Sequence, residues 1–145
     1  MSDTILAQLP ATLDQIVTRN RDRFQIGLIT DEQFEQLERF DSQDGVKIKQ
    51  VVLNWRIIAF HQPKISATSY VLLGSVNDCG KQISWVTSEI IGFDPIGIIK
   101  TKNSYYRIDG ERQTDEPPLE DILLLVYYLR KCGLTDALGL VEVFY

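Results

Sequence analysis

The chain has 145 residues, 44% hydrophobic and 24% charged, with a formal net charge of −5 at pH 7, which suits one globular domain with its own core. Its longest apolar run, Ile122–Leu129, falls far short of the roughly 20 residues of a membrane helix, and Met1–Ala7 lacks a basic segment leading into an apolar one, so neither a membrane span nor a secretory leader is expected. Cys79 and Cys132 lie outside any CxxC spacing and read as free thiols, which sets the expectation of a cytoplasmic protein.

The charge is sorted along the chain. Residues 1–45 carry four Lys/Arg against nine Asp/Glu, residues 46–107 eight against three, and residues 108–145 three against eight. A basic middle therefore lies between two acidic flanks. Opposite charges attract in any compact arrangement, so the flanks are expected to screen the middle, although exposed pairs contribute only ~0–1 kcal/mol each. The overall acidity argues against a generic nucleic-acid binder, whereas the basic middle argues locally for one.

In chain order, Leu13, Ile16, Val17 and Phe24 fall near one face of a helix with Pro10 in its first turn. Gly27 stands where a left-handed residue would end that helix. Thr30 then opens a second helix with a capping box: its hydroxyl is placed to accept from the Gln33 amide while the Gln33 side chain reaches back. Ile29 and Phe34 occupy the staple positions, and Phe34, Leu37 and Phe40 continue the apolar stripe. A helical hairpin over residues 1–41 is the expectation. The stretch GLITDEQFEQL resembles the SHOCT type of short helical hairpin, in which a Gly-Ile-Ile/Leu-Thr turn leads into a second helix containing Glu and Phe; Gln36 stands where most of those hairpins carry Lys. The resemblance covers the hairpin alone and implies an interaction or oligomerisation appendage. Good turn chemistry reached independently explains the same residues without a relative.

After the loop Asp41–Gly45, apolar residues alternate through Val46 and Ile48, then switch phase to Val51, Leu53, Trp55, Ile57 and Ala59. A phase switch inside one strand predicts a β-bulge near Gln50. Tyr70–Val76, Ile83–Thr87, Ile98–Thr101 and Tyr105–Ile108 follow as strands, separated by turn sequences at Asn77–Gly80, Phe93–Gly97 and around Asn103. Trp55 and Trp85 both fall at alternating apolar positions and read as core. Residues 46–109 thus predict five antiparallel strands curled into a small barrel or a strongly twisted sheet. Pro117-Pro118 opens a last helix that runs to Lys131 with Gly133 behind it. Its Ile122–Leu129 centre is apolar all round and must be covered on more than one side. Val141–Tyr145 alternates as a short terminal strand. The expected fold is a single α+β domain: helical hairpin, β core, and a C-terminal helix and strand over 117–145.

Catalytic constellations are hard to find. His61 is the only histidine, with no ligand spacing around it, and reads as a strand-end structural residue. No GxSxG, phosphate loop or CxxC is present, so neither a cofactor nor a metal is expected. Glu89, Asp94, Asp109 and Glu111 are carboxylates near turns, where Asp is an ordinary turn former. The strongest candidate surface is IIKTKNSYYR. Strand alternation puts Tyr105 and Arg107 on one face and Tyr106 and Ile108 on the other, with Lys100 and Lys102 across the turn. Lys47, Lys49 and Arg56 extend this basic and aromatic set from another strand. Such a set suits single-stranded nucleic acid, through phosphate neutralisation and stacking; a protein or an acidic ligand; or merely a solvated barrel exterior with edge-protecting lysines. The favoured reading is a non-enzymatic interaction module, a subunit or adaptor that binds a protein partner or itself. The alternative is a nucleic-acid-binding accessory protein.

Overall fold

A computed structural model describes residues 10, 12–42 and 45–133. The fold is mostly β. Its strands are β1 (Gln25–Leu28), β2 (Ile48–Gln62), β3 (Ala67–Asp78), β4 (Lys81–Asp94), β5 (Ile98–Thr101) and β6 (Tyr105–Ile108), and its α-helices are α1 (Asp31–Glu35) and α2 (Leu119–Lys131). β2 to β6 form an antiparallel meander, and β6 returns to pair with β2. A meander of five strands reverses direction four times, so its first and last strands run the same way. Closure must therefore be parallel, and it is: Ile48 lies opposite Tyr105 and Val52 opposite Ile108.

β2 is 15 residues long and serves two neighbourhoods. Its first part pairs with β6 and its last part with β1, Gln25 opposite His61 and Leu28 opposite Ile58. The strand bends between them. The register slips between Ile48 and Gln50 against β6, and again between Leu53 and Arg56 against β3, with Asn54 in the left-handed region at φ 49°. Asn tolerates that conformation better than most residues because its short side chain bonds locally. Gly74 makes room for the bend: a Cβ there would lie 2.6 Å from Val52 Cγ1 and 2.7 Å from the Leu53 carbonyl oxygen. β3 and β4 are joined by Cys79 and Gly80, both with positive φ, as a two-residue type I′ hairpin requires.

Two apolar clusters lie on opposite faces of the sheet. Val52, Trp55, Ile57, Leu72, Ile90 and Ile99 fill the barrel, with Phe34 and Leu37 at one end. Ile58, Phe60, Val71 and Leu73 face outward and are covered by α2 and by the segment carrying Leu13, Ile16 and Val17. α2 contributes Ile122, Leu125, Val126 and Leu129, a spacing that puts all four on one stripe. Each such side chain stabilises the fold by roughly 1.5–3 kcal/mol when fully buried. Sandwiching between two covers explains why residues 55–60 are buried without alternation. Trp55 is buried and donates from Nε1 to the Gly110 carbonyl at 3.0 Å. Trp85 is half-buried against the inner cluster, and its buried Nε1 has no hydrogen-bond partner among the described residues.

This architecture corrects the expected α+β class. The sheet is six-stranded and mixed where the sequence predicts five antiparallel strands, because β1 adds to β2 and β6 pairs with β2 in parallel, and the N-terminal helical hairpin is not formed among the described residues. Leu13–Gln15 is a single 3-10 turn, and Asn20 breaks the next turn with φ 57°. Gln25–Leu28 is a strand because the last part of β2 exposes backbone donors and acceptors that need partners. Gly27, expected as a helix stop, sits inside that strand. The capping box at Thr30 is present, with Gln33 N to Thr30 Oγ1 at 3.1 Å and Thr30 N to Gln33 Oε1 at 2.9 Å. Its helix stops after five residues, because the chain turns to pair with β4: Phe93 N donates to the Glu38 carbonyl at 2.8 Å and Phe40 N to the Phe93 carbonyl at 3.2 Å. The expected strand Val141–Tyr145 lies outside the described residues. Among the described residues no helix is long and apolar enough to cross a membrane.

Candidate functional site: the basic seam of the barrel

Barrel closure brings together residues that the sequence separates by more than fifty positions. Parallel pairing sets Ile48 beside Tyr105, so Lys47 and Lys49 flank the ring's strand from one side. Antiparallel pairing sets Lys100 opposite Tyr105 from the other. The Lys100 ammonium lies 5.7 Å from the Tyr105 ring centre, within the range of a cation–π contact. Phe40 backs the same ring at 6.2 Å, which fixes its tilt. Lys47, Ile48, Lys49, Asn103, Ser104 and Tyr105 enclose a cleft of about 510 Å3. The Lys49 ammonium also reaches within 5.8 Å of the Trp85 ring. Alternation along β6 is as read: Tyr106 is buried, while Arg107 is exposed.

Among the described residues, five acids, four of them in the flanks, are paired away from this seam. Asp31 pairs with Arg112 at 2.5 Å, Asp115 with Arg56 at 2.8 Å, Asp22 with Lys64 at 3.3 Å and Asp14 with Arg21 at 3.5 Å. Lys102 is neutralised by Glu89 at 3.4 Å. Lys47, Lys49, Lys100 and Arg107 make no ion pair with any described residue.

Arg56 does not belong to the set. It is 6% exposed and clamps the chain that leads into α2: its Nε donates to the Asp115 carbonyl at 2.8 Å and its Nη2 to Asp115 Oδ1 at 2.8 Å. That bond holds the Asp115 carboxyl below the usual carboxylate range. The bulge between Leu53 and Arg56 turns the side chain away from the face that carries Lys47 and Lys49. His61 is structural, its Nδ1 2.7 Å from Thr68 Oγ1. Asp94 is a turn residue: Ser42 donates to it from both Oγ (2.5 Å) and the backbone (2.7 Å), and these bonds with that of Ile96 N lower its pKa. Among the described residues, no three His, Cys, Asp or Glu side chains form a group able to hold a metal.

Sequence reasoning missed a second cleft, of about 490 Å3, at the start of α2. Asp121 lies at its base, 6% exposed, with Oδ1 accepting from Ser84 Oγ. Burial pushes this carboxyl up; the Ser84 bond opposes the shift, the Glu120 charge adds to it, and Arg56 opposes it. In sequence Glu120 and Asp121 look like ordinary acids of a first helical turn. Only the docking of α2 against β4 reveals that one of them is buried. The chain matches no protein-family model, and comparison with curated proteins and with solved structures finds no match.

Proposed function

We propose that this protein is a non-enzymatic interaction module that takes a short acidic segment of a protein partner into the basic cleft at the barrel seam. The observation that carries this reading is the gathering of Lys47, Lys49 and Lys100 around Tyr105 with no described carboxylate paired to them. Unpaired ammonium groups around one amphipathic ring favour a ligand that brings both carboxylates and an apolar contact. A short segment suits the electrostatics. The whole chain is negative, and the local positive field fades beyond the ~8 Å Debye length of physiological salt, so a long polyanion meets repulsion outside the seam.

Single-stranded nucleic acid is the second reading, favoured by the Tyr105 and lysine juxtaposition itself. It is weaker because Tyr106 is buried and Phe40 is spent backing Tyr105, which leaves one ring for stacking at the cleft. Fluorescence anisotropy with a labelled Asp/Glu-rich peptide and a labelled oligothymidine separates the two. The peptide should bind and be lost in the Lys47→Ala, Lys49→Ala, Lys100→Ala triple variant, with the thermal midpoint unchanged. Tighter binding of the oligonucleotide, falling steeply with salt, would transfer the seam to nucleic acid. Failure of both ligands to bind would remove the seam as a recognition surface.

A further inference from the structure

The cleft at the start of α2 is independent of the seam, and its carboxylates and hydroxyls present lone pairs to it. Ser84 spends its proton on Asp121. Ser75 Oγ donates to the Leu53 carbonyl at 3.3 Å, and Gln113 Nε2 donates to the Glu111 carbonyl at 3.2 Å. All three side chains line the cleft; the two serine hydroxyls have spent their only hydrogens and offer lone pairs, while Gln113 keeps one N–H beside its amide oxygen. The second oxygen of Asp121 accepts no hydrogen bond from the described residues. Asn54 and Gln82 add amides that can turn their carbonyl oxygens to a cation, and Glu120 adds an exposed carboxylate at the rim. The one cation in the wall, Arg56, is already neutralised by Asp115. The positive end of α2 is answered by its own Glu120 and Asp121. Ile83 and Pro118 supply an apolar wall beside these acceptors.

We propose that this cleft binds an organic cation, an ammonium or guanidinium group on a short aliphatic stem, carried by a free amine or by a Lys or Arg side chain of another protein. The charged nitrogen seats between Asp121, Gln82 and Asn54, and the stem lies on Ile83 and Pro118. A cation there favours the ionised form of Asp121, so binding lowers the carboxyl's titration midpoint. The charged groups facing Asp121 are Glu120 on its own helix and Arg56 on β2.

The test is NMR on the full chain, titrating n-butylamine, 1-butanol as neutral control, and the blocked peptide acetyl-Gly-Lys-Gly-amide. Saturable shifts of the Ser84 and Gln82 amide signals are expected with a cationic ligand, together with a lower titration midpoint for the Asp121 carboxyl carbon. Affinity should fall about tenfold or more in Asp121→Asn, the loss of one charge-assisted hydrogen bond. A smaller loss is expected in Glu120→Gln, which alters only the exposed rim and leaves folding intact. Saturation by butylamine identifies the bare alkylammonium as sufficient; saturation by the peptide alone identifies a partner's side chain as the source, and either supports the site. Equal response to 1-butanol, no saturable response to amine or peptide, or undiminished binding by a natively folded Asp121→Asn variant would overturn it.

Discussion

Replacing Gly74 by alanine probes the bend of β2 with a single methyl group. The new Cβ would stand 2.6 Å from Val52 Cγ1, 2.7 Å from the Leu53 carbonyl oxygen and 3.2 Å from Trp55 Cα. Two of these three obstacles are backbone atoms and cannot rotate aside, so relief must come from moving the bulge or from pushing β3 off β2. Overpacking of this kind costs about 1–3 kcal/mol, and a backbone obstacle places Gly74→Ala near the upper end. With an unfolding entropy of about 2.1 cal/mol/K per residue, a chain of this length loses roughly 3 °C per kcal/mol, so the thermal midpoint should drop by about 10 °C. Gly27→Ala is the matched control: it is also a strand glycine, its φ is not positive, and nothing lies within 4 Å of its added Cβ. It should be neutral or stabilise by up to about 1 kcal/mol, through the unfolded chain. Thermal melts followed by circular dichroism compare the two. A Gly74→Ala midpoint within about 2 °C of the parent's, less than 1 kcal/mol, or equal damage at Gly27, would refute the steric account of the bend.

Removing the cap in Thr30→Ala should cost about 1 kcal/mol in urea denaturation, while Thr30→Asp, which keeps an acceptor for the Gln33 amide, should stay within a few tenths; equal midpoints for all three chains would count against the cap. At Asp121 the folded pKa is raised above the carboxyl's ordinary value of 3.8, so the stability linked to its protonation is full below that value and is lost as pH rises through the folded pKa. Asp121→Asn, which keeps an acceptor for Ser84, should therefore melt above the parent at pH 7, with the gap closing toward pH 4; a gap that stays constant or widens on acidification would contradict burial as the cause.

Patterns decided within a few residues were legible in the sequence. The capping box, the Asn77–Gly80 turn, the alternation of Tyr105 to Ile108 and the helix behind Pro117-Pro118 needed no distant partner to be read. What failed was the choice between local options that distant contacts decide. Leu13, Ile16 and Val17 fit a helical stripe, but they also fit a segment pressed flat on the outer face of β2 and β3, and the second arrangement buries all three. Gly27 carries no mark that separates a helix stop from a strand residue opposite Ala59. Lys47, Lys49, Lys100 and Tyr105 were legible by type, and the odd number of strands brings them to one seam. Arg56 failed because the phase of β2 shifts at Asn54, after which side-chain direction no longer follows from Lys49. Asp121 was invisible because its environment is made by Ser84 on another element.

Adjacent residues of β2 serve opposite cores, Ile57 inside the barrel and Ile58 beneath α2. Neither cluster can dissolve while β2 stays ordered, and β2 has no reason to stay ordered once either is gone. Detaching α2 strips the cover from one side of the same backbone whose hydrogen bonds close the barrel on the other. Amide hydrogens of β2 and β3 on the two faces should then exchange with one common opening free energy, without the stepwise hierarchy of stacked but separable units. A ligand held at the first turn of α2 would by the same linkage slow exchange at the far seam, with no contact between the two clefts.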